Sequence, residues 1–312
     1  MALDPNAKKI LDMLAIAGVA KVSGFSVQQM RDGFHRMAML VDDRQVPIGK
    51  IVGGQLPGPA GPLRTRSYFP QGPIAERMPG LVYFHGGGGI FGSIDTHEGL
   101  CRMLANESGC KVVAVGYRQA SEHKFPAALD DCYAATVWVS EHTLQLGLDP
   151  KRIAVGGDSA GGNLAAVVCQ QAKQEKGPHI ALQVLFCPFL DLDADTMSSR
   201  SFDQGYFLNK ATIEWMISLY CPPGVDRSDP RLSPLRAKDV SGLPQAHIHT
   251  AEFDPLRDEG EAYARRLESA GVAVKYTCHM GMIHHFFGMA GVIPYARVAM
   301  KTAGFAIRQA LA

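Results

Sequence analysis

Between about residues 81 and 278, short apolar segments alternate with longer segments of helical periodicity. The short segments are rich in β-branched and aromatic residues, which is typical of strands. They lie at 81–84, 111–115, 153–155, 180–186, 247–250 and 272–276. This alternation predicts an α/β fold in which helices cover both faces of a mostly parallel sheet. Residues 46–69 are expected to add antiparallel strands at the edge of that sheet.

The segments between the predicted strands carry apolar residues three and four positions apart, as helices that cover a sheet do. The predicted helices span 127–146, 160–176, 259–270 and 295–310. Gly147, Gly177 and Gly271 stand where three of these helices are expected to end. The Pro/Gly-rich stretch 53–62 is predicted to be a surface loop.

Residues 1–45 and 189–230 do not follow this alternation. In the first segment, Ser26 and Gln29 have the spacing of a capping box that opens a helix. Apolar residues share a face in each segment: Val27, Met30, Phe34 and Met37, and then Ile213, Met216, Ile217 and Tyr220. We interpret the two segments as a helical cap, in which such stripes more often pack than contact substrate. Residues 46–188 and 231–312 would form the catalytic domain.

Composition narrows the class of protein. With 312 residues, 46% of them hydrophobic, the chain can bury one large core, and its 31 basic and 30 acidic residues leave almost no net charge. No basic block is present, so a nucleic-acid partner is not expected. No run approaches the roughly 18 apolar residues of a membrane span, and the first residues lack the pattern of a secretion signal. A cytoplasmic protein is therefore expected.

Seven cysteines are scattered along the chain without a Cys-x-x-Cys pair. An odd number of widely spaced cysteines favours reduced and mostly buried thiols over a disulfide framework or a zinc site.

The segment Gly157-Asp-Ser-Ala-Gly161 lies between a predicted strand and a predicted helix. A Gly-x-Ser-x-Gly string also occurs in ordinary loops, but this context is the one that a nucleophile elbow requires. The turn is so tight that side chains at 157 and 161 would collide with neighbouring elements. Ser159 is therefore the candidate nucleophile, and the Ala160 N–H at the start of the helix is a candidate donor to an oxyanion.

A second glycine-rich segment, His85-Gly-Gly-Gly-Gly89, directly follows the strand at 81–84. Glycines allow backbone N–H groups to approach a ligand closely, as an oxyanion hole requires. A phosphate-binding loop would need a following Lys-Ser/Thr or a Gly-x-Gly-x-x-Gly helix start, and Ile90-Phe-Gly92 supplies neither. A merely flexible loop would not explain the position of the glycines after a strand and upstream of the serine.

A serine nucleophile needs a histidine base and a carboxylate that fixes the histidine tautomer. After the strand at 247–250, the sequence offers Glu252, Asp254, Asp258 and Glu259. Asp258 and Glu259 are expected to begin the next helix and to face water. Spacing alone leaves both Glu252 and Asp254 open.

Three histidines after the last strand compete for the role of base. His279 is expected at the strand end, whereas His284 and His285 lie further into a loop that could reach back toward Ser159. The residue types alone do not show which of these two neighbouring histidines is the base. An alternative is a metal site formed by His247, His249 and His279. It is the weaker hypothesis, because no carboxylate or cysteine completes a recognisable ligand set.

Five motifs in chain order resemble the hormone-sensitive-lipase-like esterases, also called bacterial family IV, in the branch with Gly-Asp-Ser-Ala-Gly. They are Tyr83-Phe-His-Gly-Gly-Gly88, Gly92-Ser-Ile-Asp-Thr-His97, Tyr117-Arg-Gln-Ala-Ser-Glu-His123, Gly157-Asp-Ser-Ala-Gly-Gly-Asn163 and Asp254-Pro-Leu-Arg-Asp-Glu-Gly260. The resemblance covers nearly the whole chain and implies an α/β-hydrolase fold with a helical cap. It departs at two places, where His285 stands for a glycine of the family's His-Gly-Phe and Ser121 for a proline.

The resemblance also implies roles for individual residues. Ser159, Asp254 and His284 would form the catalytic triad. The N–H groups of Gly87, Gly88 and Ala160 would donate to the oxyanion. His85, Gly86 and Asp158 would support the motif, with His85 holding the loop rather than reacting.

The expected activity is hydrolysis of esters with short to medium acyl chains through an acyl-enzyme, which requires no cofactor and no metal. Lipase, thioesterase or amidase activity would use the same residues. An alternative from another class is a non-catalytic small-ligand receptor, as in the plant gibberellin receptors, which depart from the pattern at the triad histidine. The expected partner is a small-molecule ester, with no nucleic acid and no membrane, and a homodimer is possible.

Overall fold

The computed structural model describes residues 2–16 and 25–312. In this part of the chain, eight strands form one sheet. They are β1 (Lys50–Gly58), β2 (Gly61–Phe69), β3 (Met78–Phe84), β4 (Lys111–Gly116), β5 (Leu148–Asp158), β6 (Leu182–Phe186), β7 (Gln245–Phe253) and β8 (Val274–Ile283). Their order across the sheet is β1-β2-β4-β3-β5-β6-β7-β8.

The strands from β3 to β8 pair in parallel, and β2 pairs antiparallel with both β1 and β4. Crossovers between parallel strands bring the carboxyl ends of β3, β5, β7 and β8 to one edge. The predicted α/β class and the predicted antiparallel edge are both confirmed. The loop predicted at 53–62 is wrong, because Gly53 to Gly58 belong to β1 and pair with β2 up to a tight turn before Gly61.

Ten α-helices are found in the described residues. They are α1 (Pro5–Ile16), α2 (Val27–Val41), α3 (Glu98–Ser108), α4 (Ala127–Glu141), α5 (Thr143–Leu146), α6 (Ala160–Glu175), α7 (Met197–Ser201), α8 (Lys210–Tyr220), α9 (Arg257–Ser269) and α10 (Tyr295–Ala310). Single 3₁₀ turns lie at Pro234–Arg236 and Phe286–Met289. The sequence did not predict α3, and the helix expected at 127–146 is divided at His142.

Two hydrophobic cores lie on opposite faces of the sheet. Side chains of α4, α6 and α9 fill one core, and those of α1, α3 and α10 fill the other. Because β3, β4, β6 and the second half of β5 are covered on both sides, nearly all of their residues are buried. A rigid, fully packed sheet is the platform that holds the loops at its carboxyl edge.

The predicted accessory segments contain α1 and α2 on one side and α7 and α8 on the other. The capping box predicted at Ser26 and Gln29 is present at the start of α2. Arg31 fastens α2 to the body of the protein, because its guanidinium donates to the carbonyls of Ile90 and Ala120 and pairs with Glu122. The division into a cap and a catalytic domain stays a prediction.

All seven cysteines are free, and six of them are buried. Among the described residues, no helix combines the length and the apolar character that a membrane crossing requires.

Candidate active site

The predicted nucleophile lies at the sharp turn between β5 and α6. Ser159 adopts φ 55° and ψ −118°, a conformation that is strained for a residue with a side chain. The turn is held by hydrogen bonds, since Ser159 N–H donates to Phe186 O at 2.8 Å and its carbonyl accepts from Asn163 N–H at 3.0 Å. The serine is therefore fixed at the carboxyl end of β5 with its side chain only partly buried.

The two glycines that flank the turn have the steric role that the sequence suggested. A Cβ added at Gly161 would lie 1.9 Å from Phe84 O, and one added at Gly157 would lie 2.4 Å from the same oxygen. Both contacts involve backbone, which cannot move aside. Only glycine fits at either position.

Ser159, His284 and Asp254 come together as a chain of hydrogen bonds. His284 Nδ1 is 2.7 Å from Asp254 Oδ2, and His284 Nε2 is 3.1 Å from Ser159 Oγ. Because the carboxylate only accepts, Nδ1 carries the proton and Nε2 is free to accept from the serine hydroxyl. Asp254 is fully buried, and its other oxygen accepts from Leu256 N–H at 2.9 Å.

The remaining candidates have other partners. Glu252 accepts from Gly281 N–H at 2.7 Å on β8. His279 contacts His249 at 3.2 Å, and His285 turns toward Asp158. Geometry thus separates the two neighbouring histidines that the sequence left open.

Two expectations about this region are wrong. His279 lies inside β8 rather than at its end, because the strand continues to Ile283 past an irregularity in its pairing with β7. Glu259 does not face water. It is 1% exposed, and its carboxylate accepts from the N–H groups of Leu190 and Asp191. Burial raises the pKa of Glu259 well above its usual range.

The predicted oxyanion loop follows β3 and borders the serine. Gly87 and Gly88 have φ values of 112° and 64°, which L-residues with side chains rarely adopt. Added Cβ atoms would strike Phe91 O and the side chain of Met216. Among the described residues, no acceptor takes the amide protons of Gly87 or Gly88. Ala160 N–H, the first of α6, is left free by helix geometry.

His85, at the start of this loop, is held by contacts with Tyr117. Its ring stacks on Tyr117 at 4.4 Å, and Tyr117 O–H donates to His85 O at 2.6 Å. Burial lowers the pKa of His85 to about 4, so its imidazole is neutral at neutral pH.

Asp158, the residue before the nucleophile, is a buried carboxylate with partners from three segments. Its Oδ1 accepts from Tyr83 O–H at 2.6 Å and from Gly86 N–H at 2.9 Å. Its Oδ2 lies 3.2 Å from His97 Nε2 and 3.5 Å from His285 Nδ1. Burial would raise the pKa of Asp158, yet the two histidines hold it well below its usual value.

Sequence reasoning gave no role to Tyr83 or His97. Both stand in motifs that the sequence analysis identified, which is the only signal that could have pointed to them. Their contacts with Asp158 tie the oxyanion loop to the nucleophile elbow. Burial opposes the charged form of His97, but Asp158 raises the pKa of the imidazole above its usual value.

A cavity of about 390 Å³ opens beside the serine. It borders Ser159, His284 and the oxyanion glycines on one side and α1, α2 and α8 on the other. Its walls are mainly apolar, and Met30, Phe34 and Met37 of α2 belong to them. A volume near the lower end of typical small-molecule sites suits a compact apolar ligand.

The alternative metal site at His247, His249 and His279 is not assembled. In the described ranges, the two groups close enough to share an ion are His97 with Asp158 and His285, and Cys187 with Asp254 and His284. His249 instead packs between the rings of Phe186 and Phe287.

Comparison with known proteins finds esterases among the relatives of this chain. A family described as the α/β hydrolase fold matches residues 81–288. The carboxylic ester hydrolase LipN of Mycobacterium tuberculosis is 48% identical, covering 91% of this chain and 77% of its own. An arylesterase of Saccharolobus solfataricus is 37% identical over 92% and 93% of the two chains. The structure of a hyperthermophilic esterase from Pyrobaculum calidifontis superposes with a TM-score of 0.95 at 39% identity, over 100% of each chain.

Proposed function

The chain belongs to the hormone-sensitive-lipase-like carboxylesterases of the α/β-hydrolase superfamily, and from that premise we propose that Ser159 is its nucleophile, His284 its general base and Asp254 the carboxylate that orients the base. The enzyme is a carboxylic ester hydrolase, so the receptor alternative is set aside. The observation that carries the assignment is the chain of contacts of 2.7 Å and 3.1 Å on either side of the His284 ring.

The reaction proceeds in two halves. Ser159 Oγ attacks the ester carbonyl while its proton passes to His284 Nε2, and the imidazolium is stabilised by Asp254. When the tetrahedral intermediate collapses, the same proton goes to the departing alcohol oxygen, and an acyl-enzyme remains. A water molecule, deprotonated by His284, then attacks the acyl carbonyl. The bond between the acyl carbon and Ser159 Oγ breaks, the proton on His284 returns to Oγ, and the acid leaves.

The negative charge that develops on the carbonyl oxygen is stabilised by hydrogen bonds from the backbone N–H groups of Gly87, Gly88 and Ala160. Gly87 and Gly88 are supported as oxyanion donors by their position on the wall of the serine cavity and by their positive φ, and Ala160 is supported by its place directly after Ser159 at the start of α6. Donors that are fixed before the reaction stabilise the intermediate without reorganisation, and loss of one costs about 100-fold or more in kcat.

The proposed substrates are esters with short to medium acyl chains. Two features support this proposal. The main cavity holds about 390 Å³, and a smaller apolar space of about 30 Å³ next to Gly88 and Ala160 is lined by Met216 and Tyr220. Side chains of α2 and α8 thus limit the room on both sides of the nucleophile, as a helical cap would. A long acyl chain would have to displace them.

The test is hydrolysis of a series of p-nitrophenyl esters, from acetate to dodecanoate, by the wild-type enzyme and by Ser159→Ala. We expect kcat/KM to be highest for the shorter chains and the variant to lose at least about 1,000-fold in kcat. Circular dichroism checks that the variant is folded. Wild-type turnover by Ser159→Ala would refute the nucleophile, and undiminished kcat/KM with dodecanoate would refute the substrate class.

A further inference from the structure

His285 occupies an unusual backbone position directly after the proposed base. Its φ of 65° lies in the left-handed region, which is unfavourable for a residue with a bulky side chain. Its ring packs closely over the backbone of Gly288, where an added Cβ would come within 2.6 Å of Nε2. A strained residue that is buried at an active site requires contacts that hold it there.

One such contact runs through the edge of the ring. His285 Nδ1 faces Asp158 Oδ2 at 3.5 Å, a polar contact longer than an ordinary hydrogen bond. Because burial lowers the pKa of His285, the ring is neutral at neutral pH, and a carboxylate neighbour favours the tautomer with its proton on Nδ1. The contact joins the residue after His284 to the residue before Ser159.

The other contacts are with two aromatic rings. The His285 ring stacks on Phe207 at 5.8 Å with an interplanar angle of 15°, and it packs on Phe34 of α2 at 5.6 Å. Both aromatic residues line the 390 Å³ cavity. Phe34 belongs to the first accessory segment and Phe207 to the second, so His285 lies where both segments meet the reacting groups.

We propose that His285 is a positioning residue with two separable effects: its Nδ1 holds the base loop against the Asp158 carboxylate, and its ring holds Phe34 and Phe207 in the substrate wall. This inference rests on the proposed roles of Ser159 and His284. The first effect sets the alignment of His284 with the serine and therefore acts on kcat. The second effect shapes the binding cavity and therefore acts on KM.

Two substitutions separate the effects. His285→Phe keeps an aromatic ring but removes the donor. We expect kcat for p-nitrophenyl butyrate to fall about tenfold with KM little changed, because a small misalignment of a base is costly. His285→Asn places a carboxamide N–H near the former Nδ1 and tolerates a left-handed backbone. It should recover most of the lost kcat while KM rises about fivefold.

His285→Gly removes both groups and relieves the backbone strain, so it should fold, lower kcat and raise KM together. The matched control is His142→Phe, the same exchange at a ring that stacks on Trp138 away from the site, and it should behave as wild type. Thermal unfolding of every variant confirms folding.

The outcomes distinguish the inference from its premise. If Ser159→Ala is inactive but folded His285→Phe keeps the wild-type kcat, the positioning role of Nδ1 is overturned and the proposed function stands. Equal KM values for wild type and His285→Asn would overturn the role of the ring. Turnover by Ser159→Ala would overturn both proposals.

Discussion

At the scale of single residues, the turn around Ser159 leaves little room for change, because a Cβ at Gly157 or Gly161 would strike the backbone of Phe84. Ser159 is held in a disfavoured backbone conformation because the surrounding atoms leave no room for the chain to turn in another way. The sequence predicted this turn correctly, since the need for glycine at 157 and 161 follows from local sterics. It did not distinguish His284 from His285, because the choice depends on which ring reaches Ser159 across the fold.

Gly161→Ala tests the steric account of the turn. The added methyl would meet Phe84 O at 1.9 Å, so we expect a loss of about 3 kcal/mol or more in the free energy of unfolding, with activity impaired in the folded fraction. The matched control is Gly53→Ala on the edge strand, where an added Cβ meets nothing within 4 Å. Urea unfolding of both variants gives the comparison. Equal stabilities would contradict the account.

At the scale of secondary-structure elements, local patterns predicted the buried strands and most helices. Strand β8 ran further than expected because its register with β7 shifts between Ala251 and Phe253. Antiparallel edge strands were predicted within 46–69, but residues 53–62 were predicted as a loop because glycine and proline usually mark loops. In the structure, cross-strand pairing between β1 and β2 overrides that preference. The pairing of β8 with β7 involves residues distant in the chain, and the pairing of β1 with β2 depends on a tight turn. A local sequence pattern contains neither kind of information.

The C-terminal end of α2 provides a pH-dependent prediction. Asp42 caps the helix and is 8% exposed, and burial raises its pKa to about 6. The unfolded value lies near 4, so this group contributes stability that is complete below that pH and is lost as pH rises through 6. At pH 8 the ionised carboxylate disfavours the fold by up to about 3 kcal/mol.

Asp42→Asn keeps the acceptor for Gly99 N–H and removes the charge. The free energy of unfolding of the variant minus that of wild type should grow by about 1 kcal/mol as the pH rises from 5 to 8, because only the wild type becomes charged at this position. The measurement is the free energy of unfolding by urea at both pH values. A difference that stays constant, or that shrinks toward pH 8, would contradict the raised pKa.

At the scale of the whole molecule, the sheet gathers residues from distant segments at one edge. The nucleophile, the base, its carboxylate partner and the oxyanion loop follow β5, β8, β7 and β3, whose carboxyl ends lie together. That meeting point could be expected from the order of motifs. The network around Asp158 could not, because Tyr83 on β3 and the distant residues His97 and His285 meet it only in the folded chain.

The accessory helices and the loops at the sheet edge together enclose the cavity beside Ser159. The sequence analysis assigned the apolar residues of α2 and α8 mainly to packing, and in the structure Met30, Phe34 and Met216 both pack together and line the cavity beside Ser159. The division into cap and catalytic domain, a cytoplasmic location and a possible homodimer stay predictions.

The most direct test of the central claim is the reaction of the enzyme with diethyl p-nitrophenyl phosphate. Ser159 Oγ should form a bond to phosphorus and expel p-nitrophenolate, with the serine proton taken by His284. We predict release of one equivalent of p-nitrophenol per chain, loss of esterase activity, and a diethylphosphoryl group that peptide mass spectrometry locates on Ser159. A modified residue other than Ser159, or full inactivation of the enzyme without a covalent adduct, would contradict the account.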